Sequence, residues 1–166
     1  YVPTKDKKCL YKFKGKSSEE LQTYDQVKNL PEFAGILADD AVLIDIDDKP
    51  QSEKMLQIVK YMKLKCRVYK TTKGMHFLFM NNLIDSNKTK TKLACGLVNI
   101  DIKIGKRNSY EVLKFGNKER EILYDSENYE FVPKWLTPIR TPENFSDMET
   151  GDGRNQKLFN YILTLQ

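Results

Sequence analysis

The chain has 166 residues, with 28 Lys and Arg against 23 Asp and Glu for a net charge of +5, and is 40% hydrophobic and 31% charged. That is enough for one domain with its own core, in the balance of an ordinary soluble globular protein. No apolar run approaches the length of a membrane span and no signal-peptide pattern opens the chain, so the reading is a cytoplasmic protein with no membrane partner.

Residues 1–16 mix Lys with Val2, Leu10, Tyr11 and Phe13 and read as an extended arm or short strand. Ser17-x-x-Glu20 and Thr23-x-x-Gln26 have capping-box spacing, which predicts one or two short helices between Glu19 and Leu30, closed by Pro31. Phe33 to Leu37, a turn at Ala38-Asp39-Asp40 and a strand from Val42 to Asp47 predict a hairpin. Ser52 is expected to cap a helix in which Met55, Ile58, Val59 and Met62 recur at the spacing of one apolar face.

Two short β-rich runs follow, Cys66 to Tyr69 and Met75 to Met80, separated by Lys70-Thr71-Thr72-Lys73-Gly74. Leu97 to Ile104 alternates again, Gly105-Lys106-Arg107-Asn108 reads as a turn, and Ser109 to Phe115 as the return strand. Gly116-Asn117-Lys118 leads into Arg120 to Tyr124, and Pro133-Lys134-Trp135 ends the strand-rich part, with Trp135 as a core or seam residue. The order β-α-β-β followed by further strands predicts an α+β or α/β sandwich, with helices packed on a mixed sheet. Thr137 to Asp152 reads as a linker, and Asn155 to Leu165 as an amphipathic helix using Leu158, Phe159, Ile162 and Leu165. The chain opens without Met and closes inside that helical pattern, as a piece of a longer polypeptide would.

Chemistry concentrates in Val42-Leu43-Ile44-Asp45-Ile46-Asp47-Asp48. Strand side chains alternate faces, so Val42, Ile44 and Ile46 point one way while Asp45 and Asp47 project together on the other. Two adjacent anions need a cation, and the usual partner for hard oxygen ligands on a rigid strand is Mg²⁺ or Mn²⁺, completed by waters and substrate phosphates. A D-x-D alone also fits a strand end entering a polar turn. The same parity puts Asn99, Asp101 and Lys103 opposite the apolar Val98, Ile100, Ile102 and Ile104, which makes a third carboxylate available.

His76, the single histidine, fits a satisfied core residue on a hydrophobic strand, but it stands beside Thr71, Thr72, Lys73 and Gly74, which supply hydroxyls, an ammonium and a backbone able to approach an anion. A polar β-turn is the plainer reading of that segment, and the full P-loop pattern is absent. There is no G-x-S-x-G elbow and no second histidine for a nucleophile-base pair, so the sequence does not point to acyl-transfer hydrolysis. Cys9, Cys66 and Cys95 are odd in number and widely spaced, fit neither a disulfide framework nor a C-x-x-C zinc site, and read as free thiols. From Lys54 to Ile100, ten basic residues, among them Lys63, Lys65, Arg67, Lys88, Lys90 and Lys92, face a single acid, Asp85. Such a segment attracts a polyanion such as nucleic acid, and on charge alone it equally fits a lysine-rich solvated surface.

Leu43-Ile44-Asp45-Ile46-Asp47, Gly74-Met75-His76 and Asn99-Ile100-Asp101 resemble, in order and separation, the three signatures of the archaeo-eukaryotic primase superfamily, above all the primase-polymerase domains of phages, plasmids and mobile elements. Ile102-Lys103-Ile104-Gly105 and Tyr110-Glu111-Val112-Leu113 extend the resemblance over roughly the middle half of the chain, and Gly153-Arg154-Asn155 before Leu158-Phe159 resembles the start of the helical region that follows such cores. The resemblance implies an RRM-like catalytic domain over 1–138, a linker over 139–152 and a helical region from 153 to 166, often followed by a helicase in the same polypeptide. It implies template-directed nucleotidyl transfer on single-stranded DNA, with primer and dNTP or NTP as partners. By the same resemblance Asp45, Asp47 and Asp101 bind two divalent ions, and His76, Lys103, Thr72 and Lys73 meet the nucleotide phosphates. The chain has no cysteine cluster and so departs from relatives that carry a zinc module. Two other readings stay open: a non-catalytic RRM-like module with Tyr61, Tyr69, Phe77 and Phe79 as stacking platforms, and a metal-dependent nuclease or nucleotide-sugar transferase.

Overall fold

Alternation of branched apolar with polar residues makes strands the main regular structure among the described residues. The computed structural model describes residues 1–105 and 109–139 and the single positions 153, 155, 156, 158, 159 and 162. The described strands are β1 (Val2–Lys5), β2 (Lys8–Cys9), β3 (Phe33–Ile36), β4 (Ala41–Ile46), β5 (Arg67–Lys70), β6 (Met75–Met80), β7 (Lys88–Leu93), β8 (Ile100–Ile104), β9 (Tyr110–Phe115), β10 (Lys118–Glu119), β11 (Ile122–Tyr124) and β12 (Pro138–Ile139). They form a small sheet in the order β10-β9-β3-β1-β2 and a large sheet in the order β11-β5-β6-β4-β8-β7-β12. Helices are few among the described residues of 1–139: a single α-turn, α1 (Tyr24–Val27), one long helix, α2 (Lys49–Met62), and 3-10 turns at Ser18–Glu20 and Lys134–Leu136.

The fold is α+β. Neighbouring strands pair antiparallel in both sheets, where the sequence suggested a mixed sheet. The two strands joined by α2, β4 and β5, run parallel, but β6 is inserted between them and pairs antiparallel with both. This is a split β-α-β arrangement. It places β4 at the centre of the large sheet. Val42, Ile44 and Ile46 of β4, Val68 of β5, Phe77 and Phe79 of β6 and Ile100 and Ile102 of β8 form one buried core cluster with Met55 and Val59 of α2. Each such side chain contributes about 1.5–3 kcal/mol when buried, so this one apolar face anchors the sheet.

Asp48 caps α2, accepting from the Gln51 N–H at 2.8 Å. Ser52, the expected cap, lies inside the first turn, and its hydroxyl donates to the Lys49 carbonyl at 3.0 Å. Pro50 explains the shift, because proline is tolerated only in a first helical turn, which forces the helix to start before it. The buried seam is Ser52, Met55 and Val59, while Ile58 and Met62 are exposed. Lys63 ends the helix in the left-handed region at φ 54°, and the Leu64 N–H donates to the Val59 carbonyl at 3.0 Å. In the expected capping boxes, Ser17 and Thr23 each donate their backbone N–H to the side chain three residues on, Glu20 at 2.7 Å and Gln26 at 2.8 Å.

The two predicted hairpins around β4 and β8 do not form. β3 pairs with β1 and β9 in the small sheet, and β9 pairs with β3 and β10 rather than with β8. The chain crosses between sheets at Ala38 to Asp40 and again after β8, and the two crossings touch at Gly105. A Cβ there would lie 1.6 Å from the Ala38 carbonyl oxygen, so no other residue fits. The predicted turn falls on 106–108, outside the described residues. So do 140–152 of the predicted linker and most of the terminal helix, although positions 155, 156, 158, 159 and 162 have helical backbone. β7 is a strand the sequence did not announce. Trp135 packs half-buried against the main core, and the three cysteines are free. No described helix is long and apolar enough to cross a membrane.

Candidate active site

The second face of the large sheet carries Leu43 and Asp45 on β4, His76 and Leu78 on β6, and Asp101 and Lys103 on β8. Asp45 stands opposite His76 on one side and opposite Asp101 on the other, and Lys103 pairs with Leu43. The small sheet closes over this face and leaves a cleft of about 540 Å³. Its walls include Asp45, Asp47, Thr72, Lys73, His76 and Lys103 from the large sheet, with Lys7, Tyr110, Glu111 and Arg120 from the small one. One ligand atom from each of Asp45, Asp47 and His76 lies within 4.8 Å of the others, the one such cluster among the described residues.

Asp45 is the hinge of the electrostatics. Its Oδ2 lies 3.0 Å from Lys103 Nζ, which donates to it. Its Oδ1 lies 2.9 Å from His76 Nε2, yet the approach lacks hydrogen-bond geometry. Oδ1 therefore has no hydrogen-bond partner among the described residues, although it is buried. A buried carboxylate oxygen without a hydrogen bond is costly, and this one is compensated by the charge of the His76 ring. Burial alone would raise the Asp45 pKa; His76 and Lys103 outweigh it and bring the carboxyl down to about 2. Burial likewise opposes protonation of His76, and the carboxylates of Asp45 and Glu111 reverse the effect, leaving the ring above its ordinary value.

The donor set fits a divalent cation. Adjacent ligands about 2.1 Å from an octahedral ion are separated by roughly 3 Å, and the Asp45 Oδ1 to His76 Nε2 distance of 2.9 Å matches such an edge. Asp47, one residue beyond β4 and exposed, supplies a third donor within reach. Asp101 behaves differently from the expectation that grouped it with the pair. Its backbone is in register with Asp45, but its Oδ1 accepts from the Lys90 N–H at 2.8 Å, and it is not in the three-residue cluster. A bulge between Lys88 and Thr91 puts Lys90 at φ 49° and aims that N–H.

The β5-β6 turn lies against the end of β4. A Cβ on Gly74 would stand 1.9 Å from the Ile46 carbonyl oxygen, so glycine alone allows this approach. The Gly74 N–H donates to Thr71 Oγ1 at 2.9 Å, and the Thr71 N–H to the Gly74 carbonyl at 2.9 Å, which fixes the turn and leaves Thr72 and Lys73 lining the cleft.

The basic segment divides. Lys88, Lys90 and Lys92 lie on β7, one strand beyond Asp101. Lys63 and Lys65 follow the far end of α2, whose 14 residues span about 21 Å. Arg67 is engaged by Asp125 through two hydrogen bonds of 3.0 and 2.8 Å and packs against Tyr129, so its charge is already neutralised. Phe77 and Phe79 are buried under α2 and offer no stacking surface.

Two site residues escaped the sequence reading. Glu111, on β9, is buried with Oε2 2.8 Å from His76 Nδ1. Arg120 Nε stands 3.0 Å from Glu111 Oε1 while donating to the Val112 carbonyl at 2.6 Å, so that contact is one of charge and Oε1 has no hydrogen bond. A glutamate within Tyr110-Glu111-Val112-Leu113 was a signal, since Glu is depleted in strands. Compared with known proteins, the chain matches no family model, no curated protein and no solved structure.

Proposed function

We propose that this chain is the nucleotidyl-transfer domain of a primase-polymerase, extending or starting a strand on single-stranded DNA from dNTP or NTP. The observation that carries the reading is the buried Asp45 Oδ1, free of any hydrogen bond among the described residues, gathered with Asp47 and His76 in a cleft that also carries Lys7, Lys73, Lys103 and Arg120 and the hydroxyls of Thr71, Thr72, Ser109 and Tyr110. The split β-α-β of β4, α2 and β5 supports an RRM-like description of the large sheet.

Asp45, Asp47 and His76 would hold Mg²⁺ or Mn²⁺, with Asp101 one strand away as a candidate for a second ion. When bound, such ions supply Lewis acidity that lowers the pKa of an attacking hydroxyl and neutralises phosphate charge. Lys103, Lys73, Arg120 and the Thr72 hydroxyl complement a triphosphate by charge and hydrogen bonding. Asp45, Lys103 and His76 fix one another before substrate arrives, so the site needs little reorganisation. The lysines of β7 fit the nucleic-acid backbone beside the carboxylates, and a helicase in the same polypeptide is the partner suggested by the sequence.

The test is incorporation of labelled nucleotide on a single-stranded template with Mn²⁺ or Mg²⁺, with and without primer. Metal-dependent, template-directed product that disappears in Asp45→Ala and in Asp47→Ala supports the reading. Equal activity in both variants removes it, and strand cleavage in place of synthesis would favour a nuclease.

A further inference from the structure

His76 is held from both sheets at once. Asp45 stands beside its Nε2 on the large sheet, and Glu111 meets its Nδ1 from the small sheet. The two contacts are not equivalent. The Nδ1 to Glu111 Oε2 contact of 2.8 Å is a hydrogen bond, whereas the Nε2 to Asp45 Oδ1 contact of 2.9 Å is close without being aligned. The ring is therefore oriented by the residue outside the ligand cluster.

A buried carboxylate costs several kcal/mol in lost hydration and persists only with compensating partners. Glu111 has two, the imidazole and the Arg120 guanidinium, both at its tip. It faces the large sheet together with Gly35, its cross-strand neighbour, while the outer face of the small sheet carries its own apolar cluster of Val2, Phe13 and Ala34. The polar tip is thus directed across the cleft at one atom of one ring.

We propose that Glu111 is a positioning residue: from the small sheet its Oε2 accepts a hydrogen bond from the Nδ1–H of His76, so that Nε2 is the ring nitrogen presented to Asp45 and Asp47. A carboxylate behind an imidazole fixes which nitrogen is offered and at what angle, and losing it typically costs 10- to 100-fold in affinity or activity. The orientation makes the chemistry of the large sheet depend on closure of the small one. Its consequence for catalysis rests on the nucleotidyl-transfer reading, but the orientation itself does not.

His76 is the single histidine of the chain, so its imidazole can be read by ¹⁵N NMR without ambiguity. In metal-free wild-type protein the expected result is an exchange-protected proton on Nδ1. A protected proton on Nε2 alone, or an Nδ1 proton exchanging as in free imidazole, overturns the proposal. In Glu111→Ala the protected signal is lost, while in Glu111→Gln, whose amide oxygen still accepts, it is retained. An unchanged signal in folded Glu111→Ala also overturns it; if that variant does not fold, the wild-type and Glu111→Gln spectra decide. In incorporation assays Glu111→Ala raises the apparent nucleotide KM about 10- to 100-fold, and Glu111→Ala with His76→Ala is no worse than His76→Ala alone. Additive defects would refute the positioning role. Wild-type protein without any incorporation would refute the transfer reading and leave the imidazole result standing.

Discussion

Lys103 Nζ lies 3.0 Å from Asp45 Oδ2, so the carboxylate best placed to hold a metal ion is already shared with a cation from the neighbouring strand. Lys103→Ala should therefore move two measurements in opposite directions. Bare Mn²⁺, titrated by EPR, binds roughly 3-fold tighter once the competing charge is gone, a modest gain because Lys103 is a third exposed and screened. A nucleoside triphosphate, followed by calorimetry with Mn²⁺ present, binds about 10-fold more weakly for want of a charge-assisted contact. Movement of both in the same direction would contradict the shared role.

Gly74 is a steric requirement rather than a flexible spacer, because a Cβ would stand 1.9 Å from a backbone oxygen that cannot rotate away. Gly74→Ala is expected to lower the unfolding free energy by about 1–3 kcal/mol, read from urea midpoints, and to weaken triphosphate binding as the turn shifts. A variant as stable as wild type with unchanged binding would show that Thr72 and Lys73 do not depend on this approach.

The metal-free site gives stability a pH signature. His76 is raised in the folded state, so its contribution is complete below the ordinary imidazole pKa of 6.5 and is lost as pH rises through the folded value. Asp45 is depressed to about 2, so its contribution is complete above 3.8 and is lost as pH falls from there toward 2. Denaturant midpoints in EDTA should decline as pH rises above 6.5 in wild type and not in His76→Asn. Parallel profiles for the two proteins would show that His76 gains nothing from its carboxylates.

Salt dependence separates the two halves of the basic segment. Replacing Lys88, Lys90 and Lys92 with Ala is expected to weaken binding of a single-stranded oligonucleotide and reduce the magnitude of the slope of log K against log salt by about 2, near 0.7 for each lost phosphate contact. Lys63→Ala with Lys65→Ala, at the far end of α2, should leave that slope nearly unchanged. The reverse pattern would relocate the nucleic-acid path.

The central strand was legible because its chemistry is written in its alternation. Three apolar residues fix the α2 face of β4, and Asp45 must then point the other way; the same logic set Asp101 and Lys103 on β8. Pairing was harder to read, because β3 finds β9 some 75 residues away, and nothing in Phe33 to Leu37 distinguishes that partner from the strand next in sequence. β7 was hidden for a different reason: Lys-Thr-Lys-Thr-Lys has strand alternation without an apolar face, and only Leu93 is buried. Glu111 was missed because strand parity says which way a side chain points and not what another sheet brings to meet it.

The five inner strands of the large sheet, β4 to β8, are consecutive in the chain, whereas the small sheet joins the first 36 residues to those after 109. A stretch of fewer than seventy residues can thus build the floor bearing Asp45, His76 and Lys103 from short-range contacts, while the roof waits for the two flanks to find each other. Maturation of this protein would then have a built-in order, with the acidic pocket laid down open to water and enclosed only when distant segments zip together above it.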